Sequence, residues 1–236
     1  MPFPREYRGK IQHIPMEQPM NEIPRIVEEA QKNIVAKMAT MILSIPRLET
    51  DAITVFPGRG ENVRLEYAVK VWQYSQFPGE LRFFLVAGTE WKTEAKTPQP
   101  TLELLQGNPY NLRKMAGVYI QYHAHCTPDQ TGWVLEKVRA CGIKSLSLIA
   151  PPYHLPRAYL TLLKELYKQS ICIPIIPLPV PTSPDTIVPE DGVDAWTLFD
   201  GEAERILKYQ EKGDVATLPE LKEYLCWLWK QPLLQN

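Results

Sequence analysis

Five short apolar runs punctuate the chain: DAITVF, LRFFLVAGT, GVYIQYHAH, KSLSLIA and ICIPIIPL. Between them the apolar spacing changes to three or four residues. Leu65, Ala68, Val69 and Trp72 follow the first run, Val134, Val138 and Cys141 the third, and Leu155, Tyr159, Leu162, Leu163 and Leu166 the fourth. A short apolar run suits a strand buried on both faces, and a spacing of three to four suits a helix covering it. Their alternation predicts an α/β fold, a Rossmann-like three-layer sandwich around a five-stranded, mainly parallel sheet. The prolines of the fifth run place it at an edge. TLELLQ and NLRKMA read as helical pieces between the second and third runs.

The flanks complete a single α/β domain over residues 1–236. Residues 1–22 have no period and read as an extended arm. An N-terminal helix starts near Pro24, carries Ile26, Ala30, Ile34, Met38 and Met41 on one face, and closes at Pro46. After the fifth run, PVPTSPDTIVPEDG is a Pro-rich loop over about 178–194, read either as a cover over a site or as a stiff connector. A C-terminal helical extension follows, about 195–212 and 217–230, with Thr217 as N-cap and a proline just inside it.

Net charge is −1, so the chain has no global attraction to nucleic acid or to an anionic membrane, and any anion site must be local. Cys126, Cys141, Cys172 and Cys226 form no C-x-x-C pair and read as reduced structural thiols. MPFPREYRGKIQHIPMEQ lacks the apolar core of a signal peptide, and IVAKMATMILSI is too short to span a bilayer. A cytoplasmic protein without a membrane partner is expected.

The strand-to-helix junctions carry the functional signal. They read FPGRGENVR, AGTEW, HAHCTPDQ and APPYHLPR, whereas the opposite junctions, PRLETD, RKMAGV and RACGIK, lack comparable clusters. Ligands of open parallel sheets bind outside the carboxyl ends of the strands. Gly58, Arg59 and Gly60 can bring backbone N–H groups to an anion at a helix N-terminus, with Arg64 one turn further in. The turn is neither G-x-G-x-x-G nor a Walker A loop. Thr127, Pro128 and Gln130 make a helix start, with Thr127 as N-cap and Gln130 closing a capping box; Asp129 complements the dipole or serves as an acid/base group. His123 and His125 would share one face of a strand, as a pair of metal ligands does, but no H-E-x-x-H and no cysteine at metal spacing supports them, and no metal is assigned. His154 and Arg157, three apart at the start of a helix, point the same way. A cation in a first helical turn is disfavoured by the dipole, so Arg157 is expected to hold an anion between itself and the helix end, and Arg157→Ala to lose binding while keeping the fold.

Taken in order, Asp51-Ala52-Ile53-x-Val55, the Gly-containing turn, Arg64 with Ala68, Ala87-Gly88-Thr89, Thr127-x-Asp129 and Tyr153-His154-x-x-Arg157-Ala158 resemble the YdcF/SanA/ElyC family, from Asp51 to Leu178. The resemblance implies a Rossmann-like fold and a ligand site built from these turns, which brings Gly88, Thr89, Thr127 and Gln130 in as ligand contacts. It also implies cell-envelope roles for some members and S-adenosylmethionine binding for one. The chain departs from the pattern at FPGRG, at Ala87-Gly88-Thr89 in place of Ser-Gly-Gly, and at Gln130 in place of Asn.

Three functions compete. The chain is an enzyme acting on a phosphorylated or nucleotide-like small molecule, with Asp129 and His154 as acid/base groups and Arg59, Arg64 and Arg157 neutralising charge. Or it is a sensor holding a nucleotide or S-adenosylmethionine without turnover, or an interaction protein docking through its Pro-rich loop and Trp227 and Trp229. Clustering of the polar residues on one sheet edge favours the first two. The cofactor and the oligomeric state are not legible.

Overall fold

A computed structural model describes residues 22–58, 62–74, 82–88, 99–189 and 191–235, with backbone alone at 22–28 and 200. The extended arm expected at 1–22 falls outside these but for its last residue, which begins the first helix. Arg59, Gly60 and Thr89 also lie outside the described residues.

The order of elements is α1 (Glu22–Leu43), β1 (Ala52–Val55), α2 (Val63–Tyr74), β2 (Phe83–Val86), α3 (Leu102–Gln106), β3 (Val118–Ile120), α4 (Thr127–Cys141), β4 (Leu146–Ala150), α5 (Leu155–Lys168), β5 (Ile175–Pro179), β6 (Ile187–Val188), β7 (Val193–Asp194), α6 (Ala195–Glu211) and α7 (Leu218–Leu228). Five strands form one parallel sheet in the order β3-β2-β1-β4-β5, as the alternation predicts. β5, with Pro177 and Pro179, is an edge. β6 and β7 pair separately as a short antiparallel hairpin.

Successive strand residues serve opposite faces. Ile53, Val55, Phe84, Val86 and Ile149 pack with Leu65, Ala68, Val69 and Trp72 of α2 and Leu105 of α3. Ala52, Leu85, Leu146, Leu148 and Ala150 pack with α4 and α5 on the other face. Helix α5 is sandwiched in turn, because α1, α6 and α7 close over its outer side. That explains why Ala158, Tyr159, Leu160, Leu162 and Leu163, consecutive but for Thr161, are all buried. Tyr224 of α7 pins the start of β5, donating to Ile173 O at 2.9 Å and accepting from Ile175 N at 2.7 Å.

NLRKMA, expected to be helical, is not. Its backbone is satisfied from α2 instead: Arg113 N donates to Gln73 Oε1 at 2.5 Å, and Lys114 O accepts from Trp72 Nε1 at 2.6 Å. Gly117 then turns the chain into β3 with φ of +84°, where a Cβ would lie 2.1 Å from Arg82 O.

Candidate functional site

From β1 the chain moves outward to β2 and β3, then returns across the sheet to β4 beside β1. The crevice between the carboxyl ends of β1 and β4 is therefore the topological switch point, where the two neighbouring connections part to opposite faces. A cleft of about 520 Å³ lies there. Phe56, Pro57 and Gly58 reach it from β1, Ala124 to Pro128 and Gln130 from the start of α4, and Tyr153, His154, Arg157 and Thr161 from α5. Asp191 of the hairpin, Glu202, Arg205 and Tyr209 of α6, and Asp214 and Val215 beyond it close the far side.

Of the sequence candidates, Gly58, Arg64, Thr127, Gln130, His154 and Arg157 line this cleft. Arg64 is buried and donates to Phe56 O at 3.3 Å and to Tyr153 Oη at 3.2 Å. Its guanidinium lies flat against Gly58, where a Cβ would come within 2.6 Å of it, so the glycine makes room for the cation.

The start of α4 differs from the expected cap. The N-cap is Cys126, with no side-chain hydrogen bond, and Thr127 is already helical. Gln130 closes no capping box: it is buried and donates from Nε2 to Gly88 O at 2.7 Å, tying α4 to the end of β2. Asp129 does not line the cleft; its Oδ2 accepts from His125 N at 3.0 Å and so satisfies a donor just before the helix. The first-turn N–H groups of Thr127 and Asp129 have no carbonyl four residues back within the helix, and Pro128 has none to offer. Burial pushes the Cys126 thiol up, so it is no thiolate nucleophile at neutral pH.

His123 and His125 do not form a pair on one strand. β3 ends at Ile120, His123 bonds Gln99 Nε2 through Nδ1 at 3.0 Å, and His125 turns to the cleft. Gly88, a candidate ligand contact, is a close crossing instead: a Cβ there would lie 2.6 Å from the His123 carbonyl carbon. Among the described residues no three His, Cys, Asp or Glu side chains gather as a metal site would require.

At the start of α5 most of the backbone donors are met within the chain. His154 N and Leu155 N both bond Pro151 O, Pro156 has no N–H, and Ala158 N bonds His154 O. Arg157 has its anion within the chain. Nε donates to Glu202 Oε2 at 2.5 Å and Nη2 to Glu202 Oε1 at 3.3 Å, a bidentate pair whose carboxylate is only 5% exposed. Arg205 adds a donor to Glu202 at 2.7 Å and reaches Asp191 at 3.3 Å. Burial alone would raise the Glu202 carboxyl, but the Arg157 guanidinium bonded to it holds the group below the ordinary carboxylate range. Burial, and then the Arg157 charge, lower His154 to about 4, so the ring is neutral at physiological pH.

Sequence reasoning missed Glu202 and Arg205. Leu198, Glu202 and Ile206 stand four apart and are all buried, so a carboxylate in the middle of an apolar stripe was the available signal.

Comparison of the sequence with protein-family models and with curated proteins finds no match.

Proposed function

We propose that the chain is a YdcF-like cytoplasmic protein whose switch-point cleft binds an anionic small molecule, phosphorylated or nucleotide-like, S-adenosylmethionine included. One observation carries this reading: the first turn of α4, the buried Arg64 and His154 line one cleft at the crevice between β1 and β4. A helix N-terminus and a buried guanidinium suit an anionic oxygen. Any reaction there is hydrolysis or transfer of a group of the ligand. Binding without turnover is favoured by one specific feature, the lack of a poised base among the candidates named. Asp129 lies off the cleft, and the Nδ1 of His154 is engaged by Arg157 at 3.0 Å. Among the described residues no helix is long and apolar enough to cross a membrane, which accords with the absence of a membrane partner from this reading.

Native mass spectrometry of freshly purified protein identifies a co-purified ligand, and calorimetric titration with nucleoside phosphates and S-adenosylmethionine measures its affinity. Thr127→Glu is the matched variant. A carboxylate in the first turn of α4 suits the helix dipole and preserves the fold, yet repels an anion at that helix start. Binding is expected to weaken about tenfold or more with no loss of thermal stability. If nothing co-purifies and no member of the panel binds, or if Thr127→Glu binds as the wild type does, the reading fails.

A further inference from the structure

His154 is more than nine-tenths buried, lines the cleft, and uses only one ring nitrogen among the described residues. Nδ1 lies 3.0 Å from Arg157 Nη2. A guanidinium has five N–H donors and no acceptor, so this contact exists only if Nδ1 is the bare, accepting nitrogen. The proton of the neutral ring then sits on Nε2. The competing arrangement needs Nδ1–H donating to Glu202, but Oε2 is 3.8 Å away, beyond hydrogen-bond reach, and Glu202 is already occupied by Arg157 and Arg205. Nε2 has no hydrogen-bond partner among the described residues. The cleft gives Nε2 its opening, and a ligand held there can supply the acceptor.

We propose that Arg157 is a positioning residue that fixes His154 as a neutral Nε2–H donor, and that this donor takes a phosphoryl oxygen of the ligand in the cleft. The inference rests on the anion-binding reading above and deepens it. The ligand's oxygen meets a hydrogen bond at His154 and not a titrating charge, and Arg157 serves the ligand only through the ring. Among the described residues three cations face or flank the imidazole: Arg64 of α2, Arg157 of its own helix, and Arg205 of α6 by way of Glu202. Among the described residues Glu202 is the carboxylate beside the ring, Asp191 at the cleft rim is engaged by Arg205, and Asp214 also lines the cleft. This surrounding opposes a second proton on the ring, which agrees with its depressed basicity.

The test is nitrogen-15 NMR of the histidine side chains in the full chain, with His154→Asn for assignment, between pH 5 and 8. The wild-type ring is expected to show the Nε2–H tautomer throughout and no titration above pH 5. Sulfate, whose charge is constant over this range, stands in for a phosphoryl group, and its addition should shift the Nε2 resonance. His154→Phe should weaken sulfate binding about tenfold, with the ratio to wild type unchanged across the range. In Arg157→Met the proton is expected to move to Nδ1, toward Glu202; should that variant not fold, the wild-type measurements decide alone. An Nδ1–H ring, a titration near 6.5, or a sulfate effect on Thr127 and Gln130 that leaves the imidazole unmoved overturns the inference while sparing the anion site. Sulfate that moves no cleft resonance at saturation overturns both. The predicted tautomer and sulfate shift together with failure of every nucleotide and S-adenosylmethionine in calorimetry overturn only the nucleotide reading.

Discussion

Arg157 stands in the first turn of α5, where the helix dipole disfavours a cation, and its compensation is a carboxylate 45 residues away on α6. The sequence placed an anion beside Arg157 for sound physical reasons and looked for it in a ligand, because nothing local announces Glu202. The consequence for mutation is reversed. Arg157→Ala leaves Glu202 charged, buried and short of its bidentate partner, which costs about 3–5 kcal/mol when a buried pair is broken on one side. Urea unfolding should show a loss of that order, and Arg157→Met combined with Glu202→Met should recover most of it by removing both charges together. A loss under about 1 kcal/mol in the single variant would return Arg157 to the ligand, as the sequence suggested. His154 and Arg157 themselves were legible, since residues three apart on a helix meet. Gln130 was misassigned for an instructive reason: its distance from Thr127 fits a capping box, but the helix caps one residue earlier, at Cys126, and Gln130 instead donates to Gly88 O.

Among the elements, the Pro-rich segment after β5 is neither a plain connector nor a loose flap. It folds back as the β6–β7 hairpin, buries Val188 against Tyr153, Ala195 and Leu198, and brings Asp191 to the rim of the cleft. The Asp191–Arg205 pair is partly exposed and contributes little, so the buried Val188 tethers the hairpin more than that pair does. Val188→Ala should cost about 1–2 kcal/mol and raise the rate of proteolytic cleavage between Pro179 and Asp194, whereas Arg205→Ala should change that rate much less. Equal acceleration by both variants would mean that the ion pair holds the hairpin. The major strands and helices were legible because their period is local: Thr217 caps α7 with the capping box its sequence spells, and the five apolar runs each contain a strand. NLRKMA was not, because its backbone bonds go to Gln73 and to Trp72, a long-range arrangement that overrides propensity.

For the molecule as a whole, the parallel sheet predicts where a ligand binds but not which side chains meet there. Strand order comes from pairings between distant segments, and the order β3-β2-β1-β4-β5 is what carries α6 to the far wall of the cleft and Glu202 to Arg157. The site's electrostatics are therefore a property of the folded chain, and they make stability depend on pH. His154 ionises near the ordinary histidine value of 6.5 when unfolded but at about 4 when folded. Between those values the unfolded chain binds more protons, so stability is present above pH 6.5 and is lost as the pH falls toward 4. Glu202 is held below the ordinary carboxylate value of 4.5, so its contribution is present above that value and is lost on further acidification. The His154 share of the loss between pH 7 and pH 5 is about 2 kcal/mol. Urea unfolding at the two pH values should show wild type losing about that much more than His154→Asn, which retains the other titrating groups but not this ring. Equal losses in the two proteins would mean that the imidazole ionises in the folded state much as it does in the unfolded chain, and that the Arg157 and Glu202 pair alone organises the cleft wall.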